Sequence, residues 1–170
     1  MNDAIWTIDD KKEGKFLRRK TQDFDFSKFS KNEIEDLIRR MRRAMKEASG
    51  IGLSANQIGL DMKVFVAGVP QANGGMKFYS AFNPRIEKAG GRAVSYEEGC
   101  LSVPGKYGMV ERPDRVTLIA EDKAGKPIKI KAFGLTARVF QHETDHLNGK
   151  LFIDRTTDIH DAAGSERNLP

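Results

Sequence analysis

The strongest periodicity in the chain runs from Ile34 to Ala48. Ile34, Leu37, Ile38, Met41, Met45 and Ala48 recur at three- and four-residue steps among charged positions, which predicts a helix with one apolar stripe. Ser30 and Glu33 precede it at capping-box spacing, with Ser30 as the N-cap, and Ser49-Gly50 stops it. On the outer side Glu35 is expected to pair with Arg39 and Asp36 with Arg40. Arg42, Arg43 and Lys46 suit the negative pole of the helix dipole. The Met41 and Met45 stripe reads as core.

Downstream the period changes from helical spacing to alternation. Residues 63–69 and 76–82 read as two strands joined by a longer hairpin loop, with Asn83-Pro84 punctuating the second. Residues 92–97 are a weaker strand. Residues 116–120 and 128–133 form a second hairpin about a turn at 122–126. Gly134 then releases the chain into a second helix that Gly149 ends as a C′ glycine. The predicted fold class is α+β: mainly antiparallel sheet packed around a C-terminal helix, with an N-terminal amphipathic helix. One domain is expected over residues 1–170, with 1–30 as a loosely wrapped arm anchored by Phe24, Phe26 and Phe29, and 160–170 as a frayed polar tail.

Composition narrows the setting. No apolar run approaches the ~18 residues of a membrane span. Cys100 is the sole cysteine, so no intrachain disulfide is expected and a reducing cytoplasm is the natural home. The formal charge of +5 would favour an anionic partner such as RNA, but the two signs are interspersed and read as a solvated surface. No membrane and no DNA partner is expected, and the chain is expected to be a monomer.

The candidate chemistry lies in the second helix, at His142-Glu143-Thr144-Asp145-His146. On a helix, His142 and His146 are neighbours on one face, able to hold one metal ion beside Glu143. Leu135 and Val139 continue the same stripe, so both imidazoles face inward, where an unpartnered ring nitrogen is costly. The pattern alone also fits a metallopeptidase, but Leu147-Asn148-Gly149 lacks the third histidine of a metzincin. A third ligand is still required. His160 sits in the polar tail; Cys100, between Gly99 and Ser102 in a shaped loop, is the better candidate, set against a buried inert cysteine. The stretch from Gly50 to Gly59 reads as a helix-to-strand loop whose small residues would also let a substrate backbone approach.

Three blocks taken together resemble the signature motifs of peptide deformylases: Gly50-Ile51-Gly52-Leu53-Ser54-Ala55-Asn56-Gln57, Glu98-Gly99-Cys100-Leu101-Ser102 and Gln141-His142-Glu143-Thr144-Asp145-His146. Where the family usually has two alanines, this chain has Ser54-Ala55. The resemblance implies a metal-dependent amide hydrolase that removes the formyl group from the formyl-methionine of nascent polypeptides. It implies one divalent metal on Cys100, His142 and His146, ferrous iron in the cell, with zinc or nickel permitted by the same ligands. Glu143 is the implied general base; the Gln57 amide and the Leu101 backbone N–H are the implied oxyanion donors. Gly52 and the Gly105 region would pair with the substrate main chain, and Ile51, Leu135 and Val139 would form the methionine pocket. Arg138 is expected to contribute only its stem. Asp145 is expected to pair with Arg112 and steady the loop carrying Cys100. Ribosome contact is a secondary expectation, since the basic helical tail used by some members has no counterpart here. The rival readings are another metal hydrolase with a different acyl preference and a non-catalytic RNA-binding module.

Overall fold

The computed structural model describes residues 3–162. Residues 1–2 and 163–170, which include most of the tail expected to fray, lie outside the described residues.

Two helices and the sheet arise where the patterning places them, in the α+β arrangement expected. A first short helix, α1 (Lys11–Leu17), is capped by Asp10, whose side chain accepts from the N–H groups of Lys12 and Glu13. The amphipathic helix α2 (Lys31–Glu47) begins with the Ser30–Glu33 capping box and buries Ile34, Ile38, Met41 and Met45. Strands β1 (Gly52–Ser54), β2 (Val64–Pro70), β3 (Met76–Cys100), β4 (Val103–Glu121) and β5 (Pro127–Phe133) lie side by side in sequence order, all antiparallel. Helix α3 (Gly134–Leu147) follows β5 directly. Gly134 takes φ 54° at that junction, a left-handed turn that lets the chain leave the sheet and fold back across it.

Strand β2 explains how two helices share one sheet. Val64 and Val66 point into a core built with α2, while Phe65, Ala67 and Val69 point into a second core built with α3. Both faces are therefore covered, and the strand reads as a continuous apolar run rather than an alternation. Phe65 and Phe140 pack ring to ring at 5.7 Å with no exposure, each burial worth about 1.5–3 kcal/mol.

Several local expectations are corrected. Asn83-Pro84 does not end a strand: β3 runs through it with a register shift between Phe82 and Arg85, Asn83 taking φ 49°. The weak strand at 92–97 is the far half of the same β3. Neither expected i,i+4 pair of α2 forms: Arg40 binds Asp3 and Glu35 binds Lys123 across the fold, while Arg39 turns to Asp36 at i,i+3. Residues 3–30 are tied down more firmly than an arm of turns. The Trp6 N–H donates to the Gln57 carbonyl at 2.8 Å, and the Ile8 N–H donates to the Ser102 carbonyl at 3.0 Å. Leu17 is fully buried. His160 belongs to a further strand, β6 (Ile159–Asp161), which pairs with Lys106–Gly108 of β4.

Gly149 closes α3 at φ 72°, and a Cβ there would stand 2.4 Å from the Arg18 carbonyl oxygen. It is both the helix stop and the contact that lets the N-terminal segment pass beneath the helix end.

Candidate active site

The end of β3 and the middle of α3 meet at one point. A tight turn at Leu101-Ser102 joins β3 to β4, with Cys100 opposite Val103. It holds the Cys100 Sγ 3.1 Å from His146 Nε2, and His146 Nε2 lies 3.2 Å from His142 Nε2. All three ligand atoms fall within 4.8 Å of one another. His142 Nδ1 lies 3.0 Å from Glu98 Oε2, so a neutral ring carries its proton there and turns the Nε2 lone pair toward the other two donors. A thiolate and two imidazole lone pairs aimed at one another repel unless a cation lies between them. A soft divalent ion satisfies all three, and the residues fit one.

The electrostatics agree. Burial alone would push the Cys100 thiol up, but the charge and hydrogen bonds of His146 and His142 outweigh it and bring the group down to about 5. Burial would lower His142, yet the contacts with Cys100 and Glu98 push it up to about 10. Without a metal the Cys100 thiolate and the His142 imidazolium pair with one another, and a divalent ion would take the place of that proton.

Behind the ligands lies a buried charge lattice that the sequence reading foresaw only in part. Glu98 accepts from Arg112 Nε at 2.6 Å and Nη2 at 2.9 Å, and from Arg138 Nη1 at 2.6 Å. Asp145 accepts from Arg112 Nη1 at 2.8 Å and from Arg155 Nη2 at 2.5 Å. Arg112 is 2% exposed and bridges the two carboxylates. The expectation for Arg138 is corrected: its guanidinium turns inward, to Glu98 and to the carbonyls of Val94 and Val110, beneath Tyr96. Glu98 received no role from the sequence. Its position two residues before Cys100 in an acidic pair, with Arg138 one turn before His142, was the available signal.

Burial would raise Glu98 and Asp145. The hydrogen bonds and charges of His142 and Arg112 hold Glu98 far below the usual carboxylate range, and Arg155 and Arg112 hold Asp145 low. Groups depressed in the folded state contribute stability above their unfolded pKa of about 4 and lose it as pH falls. Urea unfolding of the metal-free protein should therefore show a steep fall in midpoint between pH 5 and pH 3. A midpoint that does not move between pH 5 and 3 would contradict the lattice.

The open side of the site is a cavity of about 520 Å³. Gln57, Cys100, Leu101, His142 and Glu143 line its floor, and Ile51, Gly52, Gly105, Leu135 and Val139 line its walls. Ile51 and Leu135 are 40% and 46% exposed, which leaves apolar surface facing the opening. Gly105 turns its carbonyl to the Ala162 N–H at 2.9 Å, so the residue just after β6 already occupies one of its main-chain groups. Gln57 sits in a 3-10 turn after β1. Its Oε1 accepts from the Ser54 N–H at 2.9 Å, and its Nε2 donates to Ser102 Oγ at 3.1 Å and lies 3.7 Å from Cys100 Sγ. Glu143 is 3% exposed and accepts from Ser54 Oγ. Asp145 and Arg112 lie behind the cavity rather than in it.

A Cys/His/His donor set with a buried carboxylate beside it, at the bottom of an apolar groove, is the equipment of a metal-dependent hydrolase. The chain belongs to the polypeptide deformylase family, whose model matches residues 3–162. It is 45% identical over 126 residues to a peptide deformylase from a Synechococcus strain, covering 74% of this chain and 63% of that protein. It is 44% identical over 137 residues to the peptide deformylase of Parasynechococcus marenigrum, covering 81% and 67%. The chain thus spans roughly two thirds of the length of these curated relatives. Among solved structures, a probable peptide deformylase from Synechococcus phage S-SSM7 superposes with a TM-score of 0.79 at 39% identity. That match covers 89% of this chain and 98% of the phage protein. The Synechococcus elongatus peptide deformylase in complex with actinonin gives 0.79 at 35%, covering 91% and 78%.

Proposed function

We propose that the protein hydrolyses the formyl amide of N-formyl-methionyl peptides, the N-termini of newly made polypeptides, and releases formate. The observation that carries this reading is the convergence of Cys100, His142 and His146 beside Glu143 at the floor of a groove with apolar walls. Cys100, His142 and His146 would hold one divalent ion, ferrous iron in the cell, with zinc or nickel acceptable to the same donors. When bound, that ion supplies Lewis acidity toward a water and toward the formyl oxygen.

The chain's own residues supply the rest. Glu143 accepts the proton of the attacking water and delivers it to the amine as the C–N bond breaks, which leaves formate and a free methionyl N-terminus. Its raised pKa, driven by burial and moderated by His142, His146 and Ser54, suits a group that must both take and give a proton. Gln57 Nε2 and the Leu101 backbone N–H stabilise the charge that develops on the formyl oxygen. Gln57 is held for this task by Ser54 and Ser102. Ile51, Leu135 and Val139 take up the methionine side chain. The main-chain groups of Gly52 and the Gly105 region guide the peptide backbone, a sequence-tolerant mode suited to many different chains. The thiolate ligand fits a reducing compartment, the cytoplasm. No helix among the described residues is long and apolar enough to cross a membrane.

Competition between blocked peptides tests the reading. Formyl-Met-Ala-Ser should be hydrolysed with kcat/KM at least about 10²-fold above acetyl-Met-Ala-Ser, because the formyl carbon is less hindered and more electrophilic and the acetyl group adds a methyl to be accommodated. Internal peptide bonds should remain intact. Equal rates on the two acyl groups, or cleavage of internal bonds, would favour a different amide hydrolase.

A further inference from the structure

The proposed base is gripped from two sides by one short strand. Ser54 is fully buried, and its Oγ lies 2.7 Å from Glu143 Oε2 and 3.0 Å from the Glu143 backbone oxygen. An ionised carboxylate and a backbone carbonyl both only accept, so the single Ser54 hydroxyl hydrogen serves both, with the shorter contact to Oε2. On the other carboxylate oxygen the neighbour is Gly52. A Cβ built there would stand 2.3 Å from Oε1, and the three nearest heavy atoms would all belong to the Glu143 side chain. Gly52 is not among the glycines with left-handed φ, so its backbone could accept another residue. The nearest obstacles to a side chain there are atoms of Glu143. Residues 52 and 54 alternate with Leu53 along β1, so both face α3 while Leu53 enters the α2 core.

We propose that Gly52 and Ser54 form a clamp that fixes the Glu143 carboxylate, Ser54 by donating to Oε2 and Gly52 by leaving room for Oε1. They are positioning residues, and this role rests on the reading of Glu143 as the base. Ser54 also ties the base to the oxyanion donor, because its backbone N–H holds Gln57 Oε1 at 2.9 Å. One residue of β1 thus sets the spacing between the group that moves the proton and the amide that meets the charge. Replacing Ser54 by alanine removes the hydroxyl contact and leaves the backbone contact to Gln57.

Two double-mutant cycles test the clamp. In the iron-loaded enzyme, Ser54→Ala should lower kcat by about 10–10²-fold, the worth of a hydrogen bond to a charged group, with KM within about twofold. Added to Glu143→Ala, it should cost nothing further. In the metal-free protein, Gly52→Ala should lower the melting temperature clearly, and much less when Glu143→Ala has removed the atoms the new methyl would strike. Equal losses from Ser54→Ala with and without Glu143, or equal melting shifts from Gly52→Ala in the two backgrounds, would overturn the proposal. If the wild-type enzyme releases no formate, the reading of function fails. The Gly52–Glu143 cycle, measured without metal or substrate, still decides whether the clamp exists.

Discussion

Glu143→Gln should lower kcat for formyl-Met-Ala-Ser by about 10²–10⁴-fold, the usual worth of a placed general base. The glutamine keeps the volume of the side chain and can still accept from Ser54 Oγ, which lies 2.7 Å from the carboxylate oxygen it replaces. It cannot take a proton. Metal content, measured by elemental analysis after reconstitution, should equal that of the wild type, because Cys100, His142 and His146 remain. KM should change little. A variant that keeps more than a tenth of the wild-type kcat would remove Glu143 from the chemistry.

The second large effect is expected away from the cavity. Arg112→Met removes the cation shared by Glu98 and Asp145 at a site with almost no solvent. Breaking such a buried pair from one side costs about 3–5 kcal/mol, because the partners stay charged in a poor solvent. Arg138 keeps one hydrogen bond to Glu98 and Arg155 keeps two to Asp145, which should keep the variant folded at low temperature. Glu98 also orients His142 through Nδ1, so a disturbed Glu98 should weaken metal binding by about 10–100-fold. Urea denaturation and chelator competition measure the two losses separately. Asp145→Asn should show a smaller stability loss of the same sign. Full stability and full metal affinity in Asp145→Asn would show that the Arg112–Asp145 contact steadies nothing.

The sequence revealed what local rules control. The Ser30–Glu33 box and the stripe from Ile34 to Met45 specify α2 because helix caps and periodicity act over one or two turns. Cys100, His142 and His146 were legible because metal ligation limits which side chains can serve. Other features depend on tertiary pairing. Arg40 prefers Asp3 to Asp36, and no local spacing shows that the N-terminal segment crosses α2. Asn83-Pro84 reads as a strand end, yet the pairing of β3 with β4 absorbs it as a bulge. Arg138 was expected to contribute only its stem, because a lone arginine on a helix usually keeps its charged head in water. Its burial depends on Glu98 lying opposite, across forty residues of chain. Ser54 carried a hint as a departure from the family pattern, but its partner could not be named until β1 and α3 were seen side by side.

The most direct test is formate release by the reconstituted protein. Protein stripped with a chelator and then given one equivalent of ferrous iron without oxygen should release one formate for each free methionyl amine formed from formyl-Met-Ala-Ser. The stripped protein should release none, and Cys100→Ala treated in the same way should stay near that baseline. Formate release by the stripped protein at the reconstituted rate, or none from the reconstituted protein, would contradict a deformylase centred on Cys100, His142, His146 and Glu143.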